Sequence, residues 1–286
     1  MTEEKVKPES GLAGFLARGN NLLIVSILAL VITVSVWSLF TPAGIFGKAD
    51  AVGYAVCHRI VVRSFAFPNG RPFPMCARDT GMFLGILIAL ITPGLLFRRR
   101  HAILFPPIGV IIIMVMASGI WAFDGANSFS YLLSYENIPR LYAPSNFLRI
   151  VTGMFHGITM GSIVLPVVNS TLWKDTVHER ILSGFKELAI LFLFGVIVIA
   201  MVLSGWGIFL YPLGLLTSVG TVTMLGVVNT IMITVIFKKE NQAATLREAL
   251  PMILLGLTAA FMLVGAIDAA RFAMFGSWEG FVFPDA

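Results

Sequence analysis

Apolar residues occupy this chain in long unbroken runs, and charge, glycine and proline collect in the gaps between them. Seven runs of predominantly apolar residues stand at about 21–41, 80–97, 102–123, 147–169, 186–211, 213–237 and 249–272. A run of roughly twenty such residues is what an α-helix needs to cross about 30 Å of hydrocarbon. Lipid cannot satisfy backbone N–H and C=O groups, so a spanning segment must bond internally as a helix. The pattern therefore predicts an all-α, polytopic helical bundle of about seven transmembrane helices. A single membrane domain over 21–272 is expected between a cytoplasmic N-terminal tail (1–20) and an extracytoplasmic C-terminal tail (273–286). The first apolar run is too long for the core of a cleaved signal peptide and reads as an anchor helix that stays.

Two connections, 42–79 and 124–146, are long, and alternation of the spans puts both on one face. Long connections in compact proteins are commonly functional. Within the first, Pro68-Asn69-Gly70 followed by Pro72 and Pro74 predicts a tight turn and then extended chain, while Ala49–Phe67 has room for a short interfacial or re-entrant helix. Residues 109–123 echo residues 195–209, with seven of fifteen positions identical. A parallel repeat is one reading; chance within a small apolar alphabet is the simpler one.

Composition agrees with this architecture: 57% of residues are hydrophobic and 12% charged, far too few charges for a water-soluble surface. Twelve Lys and Arg residues fall on the face of the N-terminus and of the 98–101, 170–185 and 238–248 loops, against eight on the other face. The bias, with compact clusters at Arg98-Arg99-Arg100 and Lys238-Lys239, predicts a multi-pass cell-membrane protein with its N-terminus in the cytoplasm and its C-terminus outside. The net charge of +5 is then accounted for by loops facing anionic lipid, and no nucleic-acid partner is implied.

The chemistry-bearing residues gather on the outer face. Both cysteines of the chain lie in the 42–79 connection, with Cys57-His58-Arg59, Arg63-Ser64-Phe65 and Cys76-Ala77-Arg78-Asp79-Thr80-Gly81. Cys57, His58, Cys76 and Asp79 form an acceptable zinc set, although adjacent Cys57 and His58 have difficulty pointing at one ion. A Cys57–Cys76 disulfide and two packed free thiols are the other readings, and spacing does not choose among the three. Asp124-Gly125-Ala126-Asn127 follows the third span as a cap-and-turn device or as site residues. Asn146, Arg149, Thr152 and His156 open the fourth span beside a Gly153/Gly157/Gly161 ridge, most simply a helix-packing seam. Asp268 and Arg271, three apart, can pair on one helix face. Arg63, Arg78 and Arg149, with Asn127 and Asn146, are candidates to bind a phosphate or carboxylate, because guanidinium forks match such oxyanions. Asp124, Arg149 and Asp79 are the candidate catalytic residues.

The ordered motifs Cys57-His58, Arg63-Ser64-Phe65, Cys76-Ala77-Arg78-x-Thr80-Gly81, Asp124-Gly125 and Asn146-x-x-Arg149-x-x-Thr152-Gly153, within about residues 50–165, resemble a prokaryotic family of predicted membrane proteins whose domain has no assigned function. That family commonly carries a third cysteine where this chain has Asp79, which would complete a Cys/His/Cys/Cys zinc site. The resemblance implies that the outer-face residues act as a unit and names no substrate. Three functions follow as expectations: an outward-facing enzyme handling an anionic lipid or small anion, with zinc as candidate cofactor; a transporter or channel component; and a non-catalytic subunit of a membrane complex.

Overall fold

A computed structural model of the chain describes residues 19–131 and 141–281. Eight helices are present there: α1 (Gly19–Phe40), α2 (Ile45–Val56), α3 (Ala77–Leu95), α4 (Ile108–Ser130), α5 (Asn146–Leu172), α6 (Phe185–Leu203), α7 (Gly207–Ile236) and α8 (Leu246–Phe275). All but α2 are long and apolar enough to cross a membrane, so the seven spans read from the pattern are found among the described residues. Four short strands, β1 (Ser64–Ala66), β2 (Pro72–Cys76), β3 (Ala102–Leu104) and β4 (Val177–Arg180), form two two-stranded sheets in the connections. The N-terminal tail, residues 132–140 with Arg140, and the last five residues lie outside the description.

The connections sort onto two faces as the alternation predicts. On one, β3 pairs in parallel with β4, Lys174 N donates to Ala243 O at 2.9 Å, and Arg99 pairs with Glu187 at 2.9 Å. On the other, Phe281 N donates to His58 O at 3.0 Å, Tyr54 Oη donates to Ser277 O at 2.9 Å, and Asn146 Nδ2 donates to Val62 O at 3.2 Å.

Three boundaries differ from the sequence pattern. Residues 102–107 are strand and connection, so the third span starts at Ile108 and runs on to Ser130. Asp124 and Asn127 are thus inside α4, not in a turn after it. Their polarity suggested an end, but α4 keeps that face buried inside the protein, where polar partners wait. The break between the fifth and sixth spans falls at Ser204-Gly205-Trp206, where Gly205 takes φ +73°, a conformation open to glycine. Pro212, where the pattern put it, sits early in α7. This break also interrupts 195–209, while 109–123 is continuous helix within α4, so the echo is not matched by a structural repeat.

The short helix expected near Ala49–Phe67 is α2, which begins earlier, at Ile45, and ends at Val56; a 3-10 turn (Val61–Arg63) and β1 occupy the later part of that stretch. Phe67 N bonds Arg71 O and Gly70 N bonds Phe67 O around Pro68-Asn69-Gly70, closing the β1–β2 hairpin. The hairpin is pushed into the bundle. Phe67 stacks between Phe73 (4.5 Å) and Tyr211 (5.0 Å), and a Cβ on Gly214 of α7 would strike the Phe67 ring at 2.6 Å.

The core axis is the α3–α5 crossing. Cβ atoms built on Gly153 and Gly157 would collide with the carbonyl oxygens of Arg78 and Met82, and on Gly161 with Ala89 Cβ. From the opposite helix, Gly81 and Gly85 face the carbonyls of Ile150 and Met154 in the same way. The glycine ridge is a backbone-to-backbone packing seam, as small residues permit between membrane helices. It holds the start of α3 and the start of α5 side by side.

Candidate functional site

Three elements deliver the site: the end of α2 with the following turn, the first turn of α3, and the facing stretches of α4 and α5. Cys57 caps the C-terminus of α2, its N–H bonding Gly53 O at 2.8 Å. Arg59 then adopts a left-handed φ of +53° and the chain curls back on itself. The curl brings Arg59 N to Cys57 Sγ at 3.4 Å and Ile60 N to His58 Nδ1 at 3.2 Å. It also resolves the difficulty of two adjacent ligands. His58 Nδ1 lies 4.0 Å from Cys57 Sγ, and a ligand atom from each of Cys57, His58 and Cys76 falls within 4.8 Å of the others.

Cys76 caps the N-terminus of α3, and its thiol donates to Asp79 Oδ2, 3.2 Å away and one turn into the helix. Both thiols are free, so the disulfide reading is corrected. Cys57 Sγ accepts the Cys76 N–H at 3.3 Å, and Cys76 Sγ turns to Asp79. The hydrogen bond with the Cys76 thiol, then burial, pushes the Cys57 thiol well above its ordinary range, so it holds its proton in the absence of metal. Burial lowers His58 below its ordinary value; Asp79 opposes this, and Arg63, Arg149 and Arg78 reinforce it. The imidazole is neutral near pH 7, as a metal ligand must be.

These three residues could hold a metal ion. Two sulfurs and one nitrogen are a zinc-type donor set, and ligand atoms of a tetrahedral zinc stand roughly 3.5 Å apart given bonds of about 2.0–2.3 Å. The three ligand atoms would have to draw closer together to hold such an ion. Asp79 is outside the mutually close group and accepts a hydrogen bond from the Cys76 thiol.

Arg78 reaches from the first turn of α3 to α4. Its Nη2 donates to Asp124 Oδ2 at 2.5 Å, Asp124 O at 3.1 Å and Ser128 Oγ at 3.0 Å. Asp124 is 1% exposed and its other oxygen accepts Tyr142 Oη at 2.8 Å, with Thr152 Oγ1 at 3.4 Å from Oδ2. The Tyr142 phenol is pushed up to about 12 by burial and by the Asp124 carboxylate it bonds. Asp124 therefore serves as the fixed counter-ion of Arg78.

Arg63 and Arg149 differ from Arg78. Arg63 Nη2 donates to Ser128 O at 3.0 Å, and Arg149 Nη1 to Asn146 Oδ1 at 2.8 Å. Both are buried, and neither forms an ion pair with a carboxylate among the described residues. Arg149 Nε has no partner there at all. Burial, then the charges of Arg149 and Arg78, pull Arg63 down to about 10, a sign that the three guanidiniums share one electrostatic field.

Asn127 and Asn146 position backbone. Asn127 bonds Tyr142 O and the Leu141 N–H, holding that connection against α4, while Asn146 ties α5 to Val62 O and Ser64 O. His156 lies apart, bonded to Ser118 and stacked on Trp121 at 4.0 Å. Asp268 and Arg271 do not pair. Asp268 Oδ2 accepts Trp37 Nε1 at 2.9 Å, and Arg271 grips Tyr54 O and Cys57 O.

Sequence reasoning missed Ser128, Tyr142 and the Asp50 carboxylate shared by Arg59 (3.0 Å) and Arg71 (2.5 Å). Ser128 had a signal, lying one turn beyond Asp124 on the same helix face. Tyr142 had none, because its contact depends on how a long connection closes.

Residues 57–163 match a family described as Predicted membrane protein (DUF2085), a domain of unknown function, and this is the segment over which the ordered motifs resemble such a family. No curated protein and no solved structure is similar to the chain.

Proposed function

We propose that the protein binds an oxyanion, a phosphate or carboxylate, at its Arg63/Arg78/Arg149 cluster on the extracytoplasmic face of the cell membrane. One observation carries this reading: two buried guanidiniums, Arg63 and Arg149, have no carboxylate partner among the described residues, beside a third that does. Burying an unpaired charge costs several kcal/mol, so a counter-ion from beyond the described residues is expected, and a bound anion supplies one. Guanidinium forks suit planar or tetrahedral oxyanions. Asp124, Asn127 and Asn146 hold the arginines and the surrounding backbone in place. The anion can be the head of a membrane lipid or a small solute.

The test is calorimetric titration of inorganic phosphate and acetate into the detergent-solubilised protein, repeated in nanodiscs with and without phosphatidylglycerol. Arg149→Gln and Arg63→Gln should each weaken binding at least about tenfold, as loss of a charged hydrogen-bonding partner implies. Saturable binding left unchanged by both substitutions would refute the reading. Competition between phosphate and phosphatidylglycerol would assign the anion to lipid.

The Cys57/His58/Cys76 group favours a metal-dependent version of the same site. Three protein ligands leave a fourth position open, the pattern of catalytic rather than structural zinc. Zinc there would act as a Lewis acid beside the bound anion, with Asp79 next to it as a candidate proton acceptor. Zinc content near one equivalent, lost in Cys76→Ser, would support a lipid- or anion-modifying enzyme; none above background would leave the binding reading alone. Transport would show as anion flux in liposomes that Arg149→Gln abolishes.

A further inference from the structure

Away from the α3–α5 seam, α1 and α8 line a cavity of about 680 Å³, within the range of roughly 300–1,000 Å³ typical of small-molecule sites. Its walls are almost wholly apolar, with Val36, Phe40, Phe261 and Met262 among them. Trp37 and Trp278 are also among its lining residues. One charged residue lines it, Asp268. That carboxylate is 2% exposed; Oδ2 accepts Trp37 Nε1 at 2.9 Å, and Oδ1 is buried with no hydrogen-bond partner among the described residues.

The neighbouring cations do not supply the missing donor. Lys48 Nζ, over the Trp37 ring, is spent on Ser38 O, Thr41 O and Thr41 Oγ1. Arg271, three residues on, directs its Nη1 to Tyr54 O and Cys57 O. A buried acceptor left unmade costs free energy, and water is a poor remedy in a cavity with apolar walls. Intramembrane carboxylates characteristically face a partner or a pathway.

We infer that the α1–α8 cavity is a binding site for a membrane amphiphile: a single aliphatic chain packs against Ile32, Val36, Phe261 and Met262, and a hydroxyl or ammonium head donates a hydrogen bond to Asp268 Oδ1. The depth fits. Asp268 lies seven residues before the end of α8 at Phe275, about 10 Å along the axis, so the head rests below the interface and the chain runs toward the bilayer centre. The site is separate from the arginine cluster and does not depend on the function proposed for it.

Native mass spectrometry of the full chain released from micelles, titrated with dodecylamine, 1-dodecanol or dodecyl methyl ether, tests this. The amine and the alcohol should each bind with one equivalent at least about tenfold more tightly than the ether, which has the chain but no donor. In Asp268→Asn the carboxamide can turn an N–H into the cavity. The amine, a donor only, should then lose at least about tenfold, while the alcohol, which also accepts, should be retained. Gly265→Val adds a side chain beside Trp37 at a residue that lines the cavity and leaves Asp268 itself in place, and should weaken both ligands whether or not the asparagine variant folds. Equal retention of amine and ether by the native protein would mean unspecific adsorption of hydrocarbon and overturn the assignment. So would amine binding unchanged in Asp268→Asn or in Gly265→Val.

Discussion

The two helix pairs of this molecule, α3–α5 and α1–α8, solve the same problem in opposite ways. Between α3 and α5 the backbones themselves touch, and glycine carbonyl contacts from both helices leave no room for a single methyl group. Between α1 and α8 the contact at Gly265 is with a side chain: the nearest atom to a Cβ there is Trp37 Cδ1 at 3.4 Å, and a cavity opens between the two helices. Association of helices in lipid rests on close packing, because lipid tails are as apolar as the helices they would replace. The tight pair therefore holds the bundle together and fixes the site. The loose pair leaves space that another molecule can occupy.

The sharpest way to break the contrast is to place the same side chain in each pair. Gly157→Leu drives a branched side chain into Met82 O and should prevent recovery of folded protein, whereas Gly265→Leu, facing the cavity, should be recovered at near-native yield. Overpacking already costs about 1–3 kcal/mol when only side chains must move; here a backbone must. Size-exclusion chromatography of the solubilised variants reads this directly. Next in size is Asp124→Ala. It leaves Arg78 buried without its counter-ion and should lower stability by about 3 kcal/mol, seen as a fall in the unfolding midpoint. Arg71→Ala at the more exposed Asp50 pair should cost about 0.5 kcal/mol or less.

A smaller effect should come from pH. Tyr142 is raised to about 12 in the folded protein from an ordinary value near 10. The folded state thus keeps a proton that the unfolded state releases first. Its contribution is complete below pH 10 and is lost as pH rises from about 10 to 12. Unfolding midpoints across that window should fall in the native protein and fall less in Tyr142→Phe. Smallest of all is Gly265→Ala, which meets only ordinary contact distances and should shift stability by no more than about 0.5 kcal/mol. A large loss there would show that the cavity is structurally essential.

Much of the scaffold could be read from the chain because solvent physics dictates it. Residues that cross lipid must be apolar and helical, and the glycine ridge at 153, 157 and 161 announced a close crossing by its spacing alone. The site was readable as a set but not as a geometry. Arg63, Arg78, Arg149 and Asp124 were recognised from residue type, yet nothing local distinguished Arg78, which has a carboxylate, from Arg63 and Arg149, which have none among the described residues. That distinction depends on α4 continuing past Phe123, so that Asp124 and Ser128 face α3 from within a helix. Likewise the convergence of Cys57 and His58 depends on the left-handed turn at Arg59, a conformation unfavoured for arginine and invisible to pattern.

The seam also has a mechanical consequence. Its glycines recur every four residues on both helices, like teeth on two meshed racks. A relative slide short of one full tooth, about 6 Å at 1.5 Å per residue, would drive a main-chain carbonyl into a neighbouring turn. Small sliding is therefore blocked, and the two helices travel as one bar. Arg78 rides on one rack and Arg149 on the other, so the gap between them behaves as a caliper locked at one setting. The anion proposed to bind there would be accepted or refused at that gap by its size.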